Sequence, residues 1–313
     1  MEGLELGVEE TPGPQLRQAV ADLVRRVEAV TGFPALSERK QMELARNSWE
    51  DRAGGSVGIT ARAAPGAGLV GYAQVVDDGP QGRYALEITV DPDAPGAGGV
   101  AEALLAAATD RVATLGGGSV RLWVSGASAT DDARAAEHGF RLERELLQMR
   151  CPLPLPPPRV DEVVVATRPF RPGQDEEAWL TTNNRAFDSH AEQGHWELAT
   201  LLEREGQAWF DPDGFRVLEV DGRIAASCWT KVHADHDPPL GEIYVISVEP
   251  EFHGRGWGRA LTRAGLDWLA SQGLTVGMLY VDAANAAAVG LYRSMGFVRH
   301  HVDRSYVRTV PGA

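Results

Sequence analysis

This chain of 313 residues has few cysteines, no long apolar run and fewer basic residues than acidic ones. Its two cysteines, Cys151 and Cys228, are too few for a disulfide framework and are typical of a reducing compartment. No apolar run reaches the roughly 18 residues that a transmembrane helix requires, so no membrane span is expected. A net charge of -14 disfavours general binding to nucleic acid, because phosphate contacts need a basic face.

The remaining composition is that of an intracellular globular protein. Hydrophobic residues make up 43% of the positions, which is enough to bury more than one core. The chain starts with an acidic segment, unlike a secretory signal peptide, which starts with basic and apolar residues. We therefore expect a cytoplasmic monomer that has neither nucleic acid nor a membrane as a partner.

The segment 242–297 carries the strongest functional pattern, because it reads as strand, glycine-rich loop, amphipathic helix, strand and short helix. The loop at 253–259 has the sequence HGRGWGR and opens the helix. Glycines let the backbone approach a ligand, and the first N–H groups of a helix lack intrahelical acceptors. The pattern predicts a diphosphate site, with a tight structural turn as the alternative. The loop lacks the Gly-Lys-Ser/Thr ending of a P-loop, and its third glycine does not fit the dinucleotide fingerprint.

The chain also repeats itself. In the first half, two predicted strands flank the turn at 64–66, and a third strand leads to Asp91-Pro92. In the second half, two strands flank Asp221-Gly222, and a third leads to Glu249-Pro250. A stiff spacer, CPLPLPPP at 151–158, lies between the halves. We expect two copies of one mixed α/β fold, each a twisted mixed sheet flanked by helices, with an N-terminal domain at 1–150, a linker at 151–160 and a C-terminal domain at 161–313.

The two copies differ at the positions that could carry chemistry. Eight residues before the proline that follows the third strand, the second copy has Glu242 and the first has Tyr84. Four residues before the glycine of the closing Gly-Phe pair, the second copy has Tyr292 and the first has Ala135. The first loop, at 94–100, contains no basic side chain. Chemistry is therefore expected in the C-terminal copy, while the first loop either holds a nucleotide passively or is a structural turn.

The motifs of the second copy resemble those of the GNAT superfamily of acyl-CoA N-acyltransferases. The resemblance is carried by Arg255-Gly256-x-Gly258-x-Ala260-Leu261, by the segment 285–289 and by Leu291-Tyr292-x-x-x-Gly296-Phe297. In that superfamily the loop wraps the diphosphate of coenzyme A, and the later segment flanks the pantetheine and the sulfur. The resemblance implies acetyl-CoA as a substrate and no metal.

The same resemblance implies a division of roles at the reaction centre. An α-amino group has a pKa near 8, so it must lose a proton before it attacks a thioester at neutral pH. Glu242 is the expected base, on a strand whose register is shifted by the bulge usual in this family. Tyr292 is the expected acid for the departing thiolate, and backbone N–H groups near Ser247 and Val248 are expected to polarise the carbonyl.

The tandem arrangement narrows the resemblance. The tandem arrangement and the segments 183–187, 190–194 and 229–231 are similar to those of an actinobacterial family, the mycothiol synthases. That family acetylates the cysteinyl amine of a cysteine, glucosamine and inositol conjugate, completing a protective thiol. Carried over to this sequence, the contacts with that substrate fall on Glu38, Glu192, Lys231, Glu242 and Tyr280.

The resemblance also places the coenzyme contacts. In the second copy they are Ile246, Ser247, Val248, His253, Gly254, Arg255, Gly256, Trp257, Gly258, Arg259, Asn285, Ala286, Ala287, Ala288, Val289 and Gly290. The matching positions of the first copy are Ile88, Thr89, Val90, Gly96, Ala97, Gly98, Gly99, Val100 and Ala101. Because arginines are missing there, binding of acetyl-CoA by the first copy stays open.

Two other functions remain open. A tandem GNAT protein could acetylate a different amine, such as an aminoglycoside or a protein N-terminus. A coenzyme A binding module without turnover is the third interpretation, but such a module needs neither Glu242 nor Tyr292.

Three polar features are given no chemistry. The segment 233–237, HADHD, is interpreted as a solvated hairpin loop rather than a metal site. Cys228 is expected to be a small buried residue, because direct acetyl transfer needs no nucleophilic thiol. His300 and His301 are expected on a final strand.

Overall fold

The computed structural model describes residues 3–45, 56–78, 82–188 and 196–313. The chain forms two compact units. Unit 1 comprises Met1–Leu146 together with His301–Ala313, and unit 2 comprises Leu147–His300. The division falls inside two strands, Arg141–Pro152 and Val298–Val310. Unit 1 therefore consists of two separate stretches of the chain, whereas unit 2 is one continuous stretch.

The first repeat alternates strands and helices in chain order. Its elements are β1 (Glu5–Glu9), α1 (Pro14–Thr31), α2 (Glu38–Ala45), β2 (Ser56–Arg62), β3 (Leu69–Asp77), β4 (Arg83–Val90), α3 (Ala97–Thr114), β5 (Gly118–Val124), α4 (Ala129–Glu137) and β6 (Arg141–Pro152).

The second repeat has the same order of elements, which confirms the tandem α/β fold. Its elements are β7 (Arg168–Pro169), α5 (Glu176–Ala186), α6 (Leu198–Glu205), β8 (Phe215–Val220), β9 (Arg223–His233), β10 (Leu240–Val248), α7 (Trp257–Ser271), β11 (Val276–Asp282), α8 (Ala286–Ser294) and β12 (Val298–Val310). The final strand contains His300 and His301, as expected.

Each unit contains a mixed sheet. In unit 1 the strand order is β1-β2-β3-β4-β5-β12, and in unit 2 it is β6-β11-β10-β9-β8-β7. The hairpin β8–β9 turns at Asp221 and Gly222, which have φ of 50° and 75°. These positive φ angles are those of the tight turn that Asp-Gly predicts. The three predicted strands of each half are therefore confirmed.

The last strand of each repeat completes the sheet of the other unit. β12 pairs antiparallel with β5, from Arg304↔Val124 to Val310↔Gly118. In unit 2, the Leu153 N–H that follows β6 donates to the Thr275 carbonyl at 2.8 Å. Residues 301–313, placed in the second domain by the sequence, therefore group with the first unit, because β12 hydrogen bonds to a strand of that unit.

An aromatic core holds β8, β9 and β10 of unit 2 in place. Trp229 stacks on Phe215 with centroids 4.5 Å apart, and it meets Trp179 edge-on at 5.8 Å. Both tryptophans are fully buried. Offset-stacked and edge-to-face pairs add to the stability gained from burial of apolar area.

Among the residues that the structure describes, no helix has both the length and the apolar character to cross a membrane.

Candidate active site

The glycine-rich turn leads from β10 into α7 through two residues with left-handed backbone. Gly254 and Gly256 have φ of 76° and 78°, a region that L side chains rarely adopt. Gly256 is the N-cap of α7, which begins at Trp257, so the loop at 253–259 opens a helix as predicted. Because glycine has no side chain, the first N–H groups of the helix remain available to an anion.

An opening between β10 and β11 begins at Ile243, well before this turn. The parallel ladder runs from Leu240↔Val276 to Ile243↔Leu279, while β10 continues to Val248. On the other side, β10 stays paired with β9 as far as Val248↔Ala226. N–H groups alternate in direction along a strand, so β10 presents backbone groups without a partner strand to the opening, within the part of the chain that the structure describes.

A β-bulge lies where the ladder ends. The pairs Ile243↔Thr230 and Val245↔Trp229 leave Tyr244 as the extra residue on β10. A bulge bends its strand and increases the local twist. This confirms the bulge expected from the family resemblance and explains why β10 parts from β11 at this point.

A pocket of about 400 Å³ lies between the glycine-rich turn, the end of β10 and α8. The predicted acid, Tyr292, lines it together with eleven of the predicted coenzyme contacts: Ile246, Ser247, Val248, His253, Gly254, Gly256, Trp257, Gly258, Asn285, Ala287 and Ala288. Four apolar residues complete the lining: Ala186, Phe187, Phe252 and Leu291. None of these four was expected to contact the coenzyme, because none is a glycine or a charged residue of the kind that marks such a site in a sequence.

Tyr292 lies on α8 and is buried, with 7% of its surface exposed. Burial raises the pKa of Tyr292 to about 12, because the charged phenolate would lose its hydration. The hydroxyl therefore stays protonated at neutral pH. A protonated hydroxyl in a pocket wall is a suitable proton donor to a thiolate that forms in the same pocket.

The arginines of the turn have partners of their own. The guanidinium of Arg255 lies 4.9 Å from the centroid of the Phe252 ring. Arg259 and Arg263, both on α7, lie 3.6 and 3.3 Å from the carboxylate of Glu162. Glu162 follows the proline-rich spacer, which thus ends close to the first turns of α7. An anion at the start of α7 would share Arg259 with Glu162.

Three predicted substrate contacts lie on one face of the unit 2 sheet. Glu242 pairs with Lys231 on β9 and with Met278 on β11, so these side chains share a face. Tyr280 lies two residues beyond Met278 and therefore belongs to the same face. The Tyr280 hydroxyl accepts a hydrogen bond from Gln148 Nε2 at 2.8 Å.

The carboxylate of Glu242 is buried and held by a histidine. His233 Nε2 lies 2.7 Å from Glu242 Oε2, and Glu242 has 6% of its surface exposed. The expectation that His233 lies in a solvated loop was wrong, because His233 ends β9 and is half-buried. Asp235 and His236 are exposed, as expected of a solvated loop. The ligand atoms that His233, Asp235 and His236 could offer to a metal ion lie within 4.8 Å of one another.

Lys231 points toward aromatic rings. Its Nζ lies 4.6 Å from the Trp209 ring centroid and 5.4 Å from that of Tyr244, the bulged residue. The hydroxyl of Tyr244 accepts a hydrogen bond from Arg204 Nε at 2.9 Å. Cation–π contacts of this kind attract an ammonium group to the face of an aromatic ring.

The two remaining predicted substrate contacts lie in other parts of the chain. Glu38 is the first residue of α2 in unit 1 and is half-buried. Glu192 lies outside the described residues, as does the segment 190–194.

Cys228 is fully buried, and burial raises the pKa of its thiol to about 12, which agrees with the expectation of a small, unreactive core residue.

The first copy has a glycine-rich turn but a different strand before it. Gly96, with φ 71°, is the N-cap of α3. β3 and β4 pair in one continuous register from Gly71↔Val90 to Asp77↔Tyr84. β10 contains the extra residue Tyr244, whereas β4 has no such bulge. The match between Glu242 and Tyr84, which was made by counting back from the proline, is therefore wrong by one position. The counterpart of Glu242 is therefore Ala85, not Tyr84.

Comparison with known proteins gives consistent matches over the chain. The acetyltransferase (GNAT) family matches residues 177–297. The mycothiol acetyltransferase of Thermobispora bispora is 44% identical over 308 residues, covering 96% of this chain and 98% of that protein. The mycothiol acetyltransferase of Streptomyces coelicolor is 40% identical, covering 94% and 92%.

Solved structures share the fold over the full length. A tandem GNAT protein from the clavulanic acid biosynthesis pathway has a TM-score of 0.69 and 14% identity, covering 99% of both chains. A GCN5-related N-acetyltransferase from Sphaerobacter thermophilus has a TM-score of 0.69 and 23% identity, covering 98% of this chain and 97% of that one.

Proposed function

Because the chain belongs to the mycothiol acetyltransferase family, a tandem branch of the GNAT acetyltransferases, we propose that it acetylates the cysteinyl amine of the cysteine, glucosamine and inositol conjugate. Acetyl-CoA is the donor, the transfer is direct within a ternary complex, and the product is mycothiol. The observation that carries the proposal is the opened end of β10, which has the buried carboxylate of Glu242 before the bulge and the pocket with Tyr292 after it.

The fit of acetyl-CoA to the second copy rests on the turn and the opening. The diphosphate would accept hydrogen bonds from the first N–H groups of α7, with Arg255 and Arg259 supplying positive charge. The pantetheine arm is itself an amide chain, so it would pair with the backbone of β10 in the opening, much as an added strand does. The coenzyme contacts expected from the sequence are retained here as a proposal, with Phe187 and Leu291 added as apolar contacts.

The chemistry proposed for this site is a direct displacement at the thioester. Glu242, directly or through one water molecule, takes a proton from the ammonium group, and the free amine attacks the acetyl carbonyl. A backbone N–H near Ser247 or Val248 stabilises the charge that develops on the carbonyl oxygen. The C–N bond forms, the C–S bond breaks, and the coenzyme thiolate takes its proton from Tyr292.

The acceptor is proposed to bind on the face that carries Glu242. Lys231 and Tyr280 share that face, and both can hydrogen bond to the hydroxyl and amide groups of a sugar conjugate. Glu38 and Glu192 are kept as substrate contacts on the family resemblance alone. All of these side chains are polar, which suits a hydrophilic acceptor better than an apolar one.

The first copy is proposed to be non-catalytic. Its strand has a continuous register, and alanines stand at the counterparts of the base and the acid, Ala85 and Ala135. We accordingly propose a degenerate domain at 1–150, a linker at 151–160 and a catalytic domain at 161–313 with the last strand exchanged. We further propose a cytoplasmic monomer.

The test is release of coenzyme A from acetyl-CoA with a panel of amines. The panel contains the cysteinyl conjugate, its analogue lacking the cysteinyl amine, several aminoglycosides and peptides with free N-termini. Turnover that is at least about a hundredfold faster with the conjugate supports the proposal, since such a ratio is within reach of discrimination by binding. Faster turnover with an aminoglycoside or a peptide would refute the substrate while leaving the acetyltransferase activity intact.

A further inference from the structure

The pair formed by His233 and Glu242 has a specific arrangement on neighbouring strands. In the antiparallel register of β9 and β10, Glu242 is opposite Lys231, and His233 is opposite Leu240. His233 is thus the diagonal neighbour of Glu242 on the same face, a spacing of about 7–8 Å between backbones that long side chains bridge. The 2.7 Å bond therefore uses the reach of both side chains.

We propose that His233 is a positioning residue for acetyl transfer, one that fixes the carboxylate of Glu242 in the orientation needed to accept the proton of the incoming amine. This inference rests on the proposed function, because it acts through Glu242 as the base. It adds a role that the sequence alone did not assign to any residue of the β9–β10 turn.

The chemistry of the bond sets its direction. An ionised carboxylate only accepts hydrogen bonds, so the hydrogen must be on His233 Nε2 and is donated to Oε2. The terminal torsion of a glutamate is broad, so an unbonded carboxylate would sample many orientations. With Oε2 held, Oε1 is the oxygen left to accept the proton of the substrate amine or of a bridging water molecule.

The surroundings of the pair strengthen the hydrogen bond. The side chain of His233 is 20% exposed and that of Glu242 is 9% exposed, so the bond is shielded from competing water. Hydrogen bonds to charged groups gain strength in such surroundings. Lys231, directly opposite Glu242, places its ammonium group over the rings of Trp209 and Tyr244. The bond from His233 is therefore well suited to fix one carboxylate oxygen.

Two polar substitutions separate positioning from general structure. In His233→Gln, the terminal amide nitrogen takes the place of Nε2 and can still donate to Glu242. In His233→Asn, the amide reaches only the place of Nδ1, so this donor is lost. We expect H233N to lower kcat on the order of tenfold, the effect of losing one charge-assisted hydrogen bond. H233Q should stay within roughly threefold of the wild type, and KM for acetyl-CoA should be unchanged in both.

A double-mutant cycle with Glu242→Gln then tests whether His233 acts through Glu242. If it does, H233N should slow the E242Q enzyme by less than about twofold, because the positioned base is already gone. His300→Asn is the control, since His300 is an exposed histidine on β12, and it should leave kcat unchanged. His236 is unsuitable for this purpose, because its ring packs edge-on against that of His233 with centroids 5.7 Å apart.

The results of these experiments distinguish a failure of the positioning role of His233 from a failure of Glu242 as the base. Three results would overturn the positioning role. The first is an equal loss of kcat in H233N and H233Q, and the second is an unchanged kcat in H233N while E242Q is slow. The third is a full tenfold loss of kcat from H233N in the E242Q background. A wild-type rate in E242Q would instead refute Glu242 as the base, which is a failure of the proposed mechanism. Thermal melting of each variant confirms that the rates are those of folded protein.

Discussion

Replacing Glu242 by glutamine removes a proton acceptor while keeping the length and shape of the side chain. An α-amino group with a pKa near 8 is about one-tenth unprotonated near pH 7. Without the carboxylate, reaction depends on that fraction and on transfer of the proton to bulk water. We therefore expect E242Q to acetylate the conjugate about a hundredfold more slowly near pH 7, within the usual range for loss of a general base.

The pH dependence provides the sharper part of this prediction. Between about pH 7 and pH 9 the free fraction of the amine rises roughly tenfold, and E242Q should recover by about that factor. The wild type, which does not depend on the free fraction to the same extent, should gain less. Rates come from thiol release at saturating acetyl-CoA, and calorimetry should show unchanged acetyl-CoA affinity.

A control variant of the same chemistry is Glu251→Gln, since Glu251 is exposed and pairs with Arg223 at 3.3 Å. It should match the wild type at every pH. An E242Q rate equal to that of the wild type near pH 7 would rule out Glu242 as the base. A hundredfold loss that persists unchanged to pH 9 would instead indicate that Glu242 acts on something other than the protonation of the amine.

The remaining predictions concern Tyr292, the coenzyme turn and the first copy. Tyr292→Phe should lower kcat by about tenfold to a hundredfold through loss of the acid. Since burial raises the pKa of Tyr292 to about 12, the wild type should also lose stability as pH rises from about 10 to about 12, and Y292F should lose less, as measured by alkaline melting. Glu162→Gln should lower KM for acetyl-CoA by roughly twofold to fivefold, because a partly exposed ion pair no longer competes for Arg259; a raised KM would contradict this. Gly98 and Gly258 are each the second residue of their helix, and both have room for a side chain. G258D should abolish acetyl-CoA turnover by repelling the diphosphate, whereas G98D should leave it largely intact; a large drop in folded G98D would show that the first turn matters.

The repeat and the coenzyme turn could be predicted because local patterns determine them. The Asp221-Gly222 hairpin and the glycines at 254 and 256 need particular backbone angles, and few residues other than glycine adopt them. The start of α7 at Trp257 follows from the same pattern. These features depend on neighbours along the chain, so the sequence carries them directly.

The missed features depend on pairing between distant segments. The role of His233 follows from a diagonal contact across the β9–β10 register, and only the register shows that contact. The final strands of the two repeats are a second case, because the strands with which β6 and β12 pair are distant from them in the sequence. No local residue preference distinguishes the two pairings, so the linear boundary at 161–313 could not anticipate them.

The bulge at Tyr244 connects these observations to the loss of chemistry in the first copy. One extra residue in β10 ends the ladder with β11 at Ile243, whereas β4, without a shift in register, stays paired with β5 as far as Glu87↔Trp123. Beyond the paired segment β10 has five residues, 244–248, whereas β4 has only three, 88–90, which leaves less free backbone for a pantetheine arm in the first copy. A glycine-rich turn alone therefore does not make a coenzyme site in this fold. Ala85→Glu should therefore not restore activity to the first copy in an E242Q background, because β4 would still be paired with β5 as far as Glu87. Coenzyme A release well above that of E242Q alone would contradict this expectation.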